Sequence, residues 1–250
     1  METDIRVFDV VDSTNTVIEQ MAEDGAHEGT CVVSFEQRCG QGRSGRSFFS
    51  PPGGNLYMSF LLRPRPDAVD MLTVAAAVSV VEAVRDVFHV DTGIKWVNDI
   101  IYNGRKVCGI IAKAMNVASD DMYVTVGIGI NIYESENVPD EIRGRYGTLT
   151  GRAYCGDKKS AKEQSLKLAK KILGIFSDHY ENGFENVIDR YRQYSVIIGR
   201  IVEYIEGDRI RTAKVCGIGD DGAVLLEENG CIRSYRDGEI RIRTADNLAL

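Results

Sequence analysis

Between residues 38 and 66 the chain carries Arg38, Arg43, Arg46, Arg63 and Arg65 and no acidic residue, although its formal net charge is -7. Glycines thread the same run as Cys39-Gly40-Gln41-Gly42-Arg43-Ser44-Gly45-Arg46. Glycine lets a backbone turn and present its N–H groups, and arginine supplies fixed positive charge in forked donors. Together they suit a phosphate or a carboxylate. Gly40, Gly42 and Gly45 also have the spacing of a dinucleotide-binding fingerprint, but the context is wrong. That fingerprint opens a helix and is followed by an acid about 20 residues later, whereas here Pro51 and Pro52 follow and the next acid is Asp67. No Gly-Lys-Ser/Thr of a phosphate-binding P-loop is present. The plain alternative for this run is a surface turn with solvated arginines.

Composition narrows the anion. The 250 residues are 44% hydrophobic and 27% charged, which is ordinary for a globular protein and enough for one sizeable core with a small module beside it. No stretch approaches the roughly 18 apolar residues of a spanning helix. The start, Met1-Glu2-Thr3-Asp4, has neither a basic lead nor an apolar signal segment, so a cytoplasmic protein without membrane contact is expected. Six cysteines without a Cys-x-x-Cys pair and three scattered histidines suggest neither a disulfide framework nor a structural zinc site. A pI near 5.1 argues against bulk nucleic-acid binding. The arginine cluster therefore addresses something small.

The elements that would position it read in two parts. Residues 5–10 form a strand, Asp12-Ser13-Thr14-Asn15 opens a helix continued by Val17, Ile18 and Met21, and residues 30–35 and 55–62 are strands flanking the glycine loop. Apolar residues at spacings of three and four predict a central helix over 70–88. Three β-like runs follow at 93–102, 106–115 and 122–133, the first two joined by the hairpin signal Asn103-Gly104. Ser160-x-x-Glu163 reads as a capping box opening a helix with Leu166, Ala169, Ile172, Leu173, Phe176 and Tyr180 on its apolar face, and a second helix runs to about Tyr194. Beyond Val196 five short strands with tight turns suggest a small β-barrel. The expected class is α+β, a mixed or antiparallel sheet flanked by helices over 1–195 and a barrel over 196–250.

Four ordered segments then resemble the biotin protein ligases: Asp12-Ser13-Thr14-Asn15; residues 40–59, reading Gly-Gln-Gly-Arg-Ser-Gly-Arg-Ser-Phe-Phe-Ser-Pro-Pro-Gly-Gly-Asn-Leu-Tyr-Met-Ser; Lys95-Trp96-Val97-Asn98-Asp99 followed by Gly104-Arg105-Lys106-Val107-Cys108-Gly109-Ile110; and Val126-Gly127-Ile128-Gly129-Ile130-Asn131. The terminal strands resemble the family's SH3-like barrel. The resemblance implies a class II synthetase-like catalytic fold that uses ATP to convert biotin to biotinoyl-AMP and then biotinylates a lysine of a carrier protein or carboxylase subunit. It implies catalytic roles for Lys95 and Arg43, and biotin contacts from Ser13, Thr14, Asn15, Gln37, Gln41, Gly42, Arg43, Lys95, Gly109 and Ile110. ATP or adenylate would meet Arg43, Arg46, Phe48, Asn55, Lys95, Asn98, Asp99 and Asn131, with Mg2+ arriving on the nucleotide and no fixed protein metal site. Lys106, after an Asn-Gly turn, reads more simply as a solubilising lysine.

Chemistry agrees with these residue types. A carboxylate approaching a phosphate needs fixed cations where charge accumulates, and a ureido ring needs groups that both donate and accept, as Ser13, Thr14 and Gln37 do. Gly109-Ile110-Ile111 suits a flat apolar wall. An acyl-adenylate must be shielded from water, so the glycine loop is expected to move when empty and close over ligand. Three departures stand out: Gln41 where the family often has arginine, Val97 for the usual proline, and Lys113 where an acid is common. The 11 residues before Asp12 leave no room for a helix-turn-helix module, so a monofunctional ligase is expected, with a sheet edge meeting the acceptor or a second subunit of a homodimer. Two rivals remain: a lipoate-type ligase of the same superfamily, and a non-enzymatic biotin or nucleotide sensor.

Overall fold

Strand β1 (Asp4–Phe8) leads through helix α1 (Thr14–Glu23) to β2 (Thr30–Ser34), which lies parallel to it. A long loop then reaches β3 (Leu56–Leu62), helix α2 (Val69–Phe88), the strands β4 (Gly93–Lys95), β5 (Asp99–Tyr102), β6 (Arg105–Met115) and β7 (Tyr123–Ile130), and a short helix α3 (Asp140–Arg143). Helices α4 (Lys158–Glu181) and α5 (Val187–Tyr194) precede β8 (Ile201–Glu206), β9 (Arg209–Ile218), β10 (Val224–Glu228), β11 (Cys231–Tyr235) and β12 (Arg241–Arg243). This computed structural model describes residues 1–53, 55–117, 119 and 121–243. The first seven strands form one sheet in the order β1-β2-β3-β7-β6-β5-β4, antiparallel beyond β1 and β2.

Period-two alternation gives this sheet two different faces. Leu56, Met58, Phe60 and Leu62 of β3 and Val124, Val126, Ile128 and Ile130 of β7 join the core formed with α2 and α4. Phe60 meets Phe176 of α4 edge-to-face at 4.9 Å. The opposite face carries α1 over Val32, Leu61 and Tyr123. It also presents the buried Ser59 together with Gly127 and Gly129, and the two glycines border the cavity.

The expected class is the one observed, with three local revisions. Helix α4 begins two residues before Ser160, because Asp157 is the N-cap: its carboxylate accepts from Ser160 N at 2.9 Å and from Ser160 Oγ at 2.7 Å. A charged acceptor displaces the neutral hydroxyl expected there. The buried stripe of α4 runs through Ala161, Ser165, Leu168, Ala169, Ile172, Leu173 and Phe176, leaving Leu166 half-buried. The single run expected over 93–102 is broken into β4 and β5 by a turn at Trp96, Val97 and Asn98, whose Trp96–Val97 peptide is cis. Asn103 and Gly104 do form the β5–β6 turn, with φ of 48° and 73°, the pair of positive angles a two-residue hairpin requires.

The last five strands make an antiparallel sheet ordered β11-β10-β9-β8-β12. No ladder joins β11 to β12 among the described residues, and residues 244–250 of the expected barrel lie outside them. Trp96 Nε1 donates to Gly222 O at 3.0 Å, and Arg192 Nε of α5 donates to Ile218 O at 2.8 Å. This second sheet is thereby held against the β4–β5 turn. No described helix is long and apolar enough to cross a membrane.

Candidate active site

A cavity of about 1410 Å³ opens over the face of β7 and β6 and is closed on one side by the second sheet. Its floor is glycine. Gly109 pairs with Gly129 across β6 and β7, and Gly127 lies two residues away on the same face. A Cβ at Gly129 would come within 2.5 Å of the Phe48 ring, and one at Gly127 within 2.3 Å of Asn15 Oδ1. The floor is bare because neighbours approach the backbone closely.

One end of the cavity is a hydrogen-bonded polar cluster. Gln37 Oε1 accepts from Thr14 N at 2.8 Å and from Thr14 Oγ1 at 3.1 Å, so Gln37 caps α1. Ser13 occupies the N-cap position with no side-chain cap bond. Gln37 Nε2 donates to Ser50 Oγ at 2.9 Å, and Ser59 Oγ lies 2.8 Å from both Thr14 Oγ1 and Asn15 Oδ1. Ser13 Oγ is buried and makes no hydrogen bond.

The other end is cationic. Eight arginine or lysine residues among the described lining face three acids, so an overall acidic protein has concentrated positive potential here. Arg43 lies in a single 3-10 turn, Arg43–Gly45, inside a loop closed by Phe48 N to Gly40 O at 2.8 Å and Gly42 N to Arg46 O at 2.7 Å. No helix begins there, and the dinucleotide reading falls on that geometry. Arg43 Nη1 donates to Asn98 Oδ1 at 2.9 Å, and Asn98 Nδ2 donates to Ile110 O at 2.6 Å. Arg46 Nε lies 3.3 Å from Arg43 O. Lys95 ends β4 opposite Asp99, which begins β5, so the intervening turn sets both at the cavity.

Of the residues singled out in the sequence, Thr14, Asn15, Gln37, Gln41, Gly42, Arg43, Arg46, Phe48, Lys95, Asn98, Asp99, Gly109, Ile110 and Asn131 border this one cavity. Ile110 does so beside Asn98, but its side chain is in the core, where strict alternation sends it, and Ile111 lies on the cavity's own face. Ser13 and Asn55 are not in the lining. Asn55 Oδ1 instead accepts from Ile132 N at 2.8 Å and Tyr133 N at 3.1 Å, fixing the chain as it leaves β7. Asn131 is 4% exposed, donates to Gly147 O at 3.2 Å, and has a buried Oδ1 without a hydrogen bond. Tyr146, also in the lining, has its phenol pushed up to about 12 by burial and stays a neutral group at physiological pH.

Of the departures, Gln41 turns its amide to Thr16 Oγ1 at 3.0 Å, and Lys113 pairs with Glu19 of α1 at 2.8 Å. Lys106 is the residue the sequence undervalued. A bulge sets Ile100 against Cys108 and Ile101 against Lys106, leaving Val107 as the extra residue. That one-residue insertion turns Lys106 to the same face as Gly109. There Nζ meets Asp99 Oδ1 at 2.5 Å and stands 6.0 Å from the centre of the Phe48 ring.

Comparison with known proteins agrees with this geometry. Residues 7–131 match the model of the biotin/lipoate A/B protein ligase family. The chain is 31% identical over 237 residues to the bifunctional ligase/repressor BirA of Bacillus subtilis, covering 94% of this chain and 72% of that protein. It is 26% identical over 238 residues to a biotin–[acetyl-CoA-carboxylase] ligase of Mycobacterium tuberculosis, covering 90% and 85% of the two chains. Among solved structures, the Aquifex aeolicus biotin protein ligase in complex with biotin and ATP superposes with a TM-score of 0.78 at 30% identity, covering 97% of this chain and 99% of that one. This chain belongs to the biotin/lipoate A/B protein ligase family.

Proposed function

We infer that the protein is a biotin protein ligase: it joins biotin to ATP as biotinoyl-AMP, releasing pyrophosphate, and then transfers the biotinoyl group to a lysine of a carrier protein. The observation that carries this reading is the convergence of all four sequence segments on one cavity with a polar end, a glycine floor and a cationic end. In the first step a biotin carboxylate oxygen attacks the α-phosphorus, and pyrophosphate leaves. In the second the acceptor amine attacks the acyl carbon, and AMP leaves with the anhydride oxygen.

The geometry supports the following division of labour. The polar end around Thr14, Asn15 and Gln37, with the unbonded Ser13 Oγ beneath it, offers donors and acceptors to the ureido ring. Arg43 and Lys95 hold the carboxylate and α-phosphate together, and Lys106 adds a third cation beside them. Asn131 Oδ1 and the Phe48 ring suit the adenine. Asp99 is engaged by Lys106. Magnesium would come on the nucleotide, where it shields the phosphates. Residues 1–195 would hold both substrates, while residues between 201 and 243 wall the cavity. Six free cysteines, with Cys31 and Cys108 fully buried, favour a reducing, cytoplasmic setting.

The test supplies biotin or lipoate with ATP and magnesium and follows pyrophosphate release and labelling of a biotin carrier domain. Biotin-dependent release with carrier labelling is expected. Adenylate formed from lipoate would move the protein to the lipoate-type ligases, and none from either acid would make it a sensor.

A further inference from the structure

The two terminal nitrogens of Arg43 are both engaged: Nη1 by Asn98 Oδ1, and Nη2 by a close ion pair with Asp237. Asp237 comes from the turn between β11 and β12, 194 residues further along the chain. That turn is anchored. Arg236 Nη2 reaches Asp221 Oδ2 at 3.2 Å and Nη1 reaches Asp70 Oδ2 at 3.4 Å, Arg236 N donates to Glu239 Oε2 at 2.6 Å, and Gly238 takes a φ of +91°. The carboxylate is thus placed on Arg43 by a fixed support, and it is the arginine's one ion pair among the described residues.

We propose that Asp237 is an internal competitor for the nucleotide, its carboxylate holding the fork of Arg43 until a phosphate displaces it. This rests on the reading of Arg43 as a phosphate ligand. A guanidinium grips a carboxylate or a phosphate with the same donors, and two anions on one fork repel each other. Asn98 is no such obstacle, since it is neutral and itself fixed to Ile110 O. Asp237 is 44% exposed at its side chain against 28% for Arg43, so it can rotate into solvent while its turn stays anchored. The exchange keeps Arg43 neutralised and positioned in both states, and it favours polyphosphates, whose charge outcompetes a carboxylate, over weak monovalent anions.

Calorimetry of the full chain with a non-hydrolysable ATP analogue tests this in wild type, Asp237→Asn, Arg43→Ala and the double variant, each first checked by thermal melting for an intact fold. An exposed ion pair of this kind predicts tightening by about 1.5- to 5-fold in Asp237→Asn. Weakening is expected in Arg43→Ala, with no further effect of Asp237→Asn in that background. If Arg43→Ala binds the analogue as wild type does, Arg43 is not a phosphate ligand and both readings fall. If Arg43→Ala weakens binding but Asp237→Asn leaves it unchanged or weaker, only the competitor role falls. A tightening that persists without Arg43 would trace to the long-range field of one removed charge and would overturn the proposal equally.

Discussion

At one end of the cavity Thr14, Asn15 and Ser59 are buried, and Gln37 binds them into a network resting on the main sheet. At the other end Arg43 and Arg46 sit on a loop, Lys95 and Lys106 at strand ends, and all four keep some surface in solvent. The bonds of the polar end join α1 to the sheet and to Gln37, so they belong to the packing of the fold. The cationic end contributes little to the fold and concentrates like charges at some electrostatic cost, which is the usual mark of a site arranged for a charged reaction. Variants should therefore separate along this line, with chemistry lost at the cationic end and stability lost at the polar end.

The largest effect is expected from Lys95→Ala. Removing a fixed cation from an acyl-phosphate transition state costs about 10²- to 10³-fold in rate, or roughly 2.7–4 kcal/mol. Pyrophosphate release in the presence of biotin should fall by that factor, while the melting temperature stays near that of wild type. A rate within threefold of wild type would show that Arg43 and Lys106 carry the charge without it.

A smaller but opposite pattern is expected from Gly127→Ala. The new methyl would meet Asn15 Oδ1 at 2.3 Å and its Cγ at 3.0 Å, so the carboxamide must leave Ser59 or α1 must lift. Overpacking of this kind costs about 1–3 kcal/mol. Denaturant unfolding should show that loss, and the KM for biotin should rise by roughly tenfold, as about 1.4 kcal/mol transmitted to the ligand would give. The KM for ATP should hold. Equal rises in both constants would mean that the two ends are not separate.

How much of this was legible in the sequence follows the same division. Local rules found α1, α2, the Asn103-Gly104 turn and most strands, because spacing and turn chemistry act over a few residues. They placed the glycine loop at an anion site without naming the anion, and only the four ordered segments supplied one. They failed where a long-range contact or a single inserted residue decided. Alternation counted from Gly109 puts Lys106 on the core side, and only the bulge at Val107 reverses it. Asn55 was a nucleotide contact by the resemblance alone, and in the structure its acceptor is used by the main chain of Ile132 and Tyr133. The ion pair of Arg43 with Asp237 has no local signature at all.

Lys113 marks the boundary of the site and gives the smallest expected effect. It is a charge reversal at a position where an acid is common in the family. The structure places it on β6 beyond the lining, paired with Glu19 at 2.8 Å, with its side chain 45% exposed against 17% for Glu19. Lys113→Glu would set two carboxylates together beside Tyr123, where Glu19 and Glu23 already hold the phenol pKa up after burial has raised it. Exposed pairs are worth about 0.2–1 kcal/mol and their like-charge reversal a similar amount, so the melting temperature should drop slightly and recover with salt as the charges are screened. The kcat and both KM values should stay within about twofold of wild type by the same estimate. A tenfold change in either KM would extend the cationic end along β6 past Ile111 and would make α1 part of the electrostatic site as well as part of the polar one.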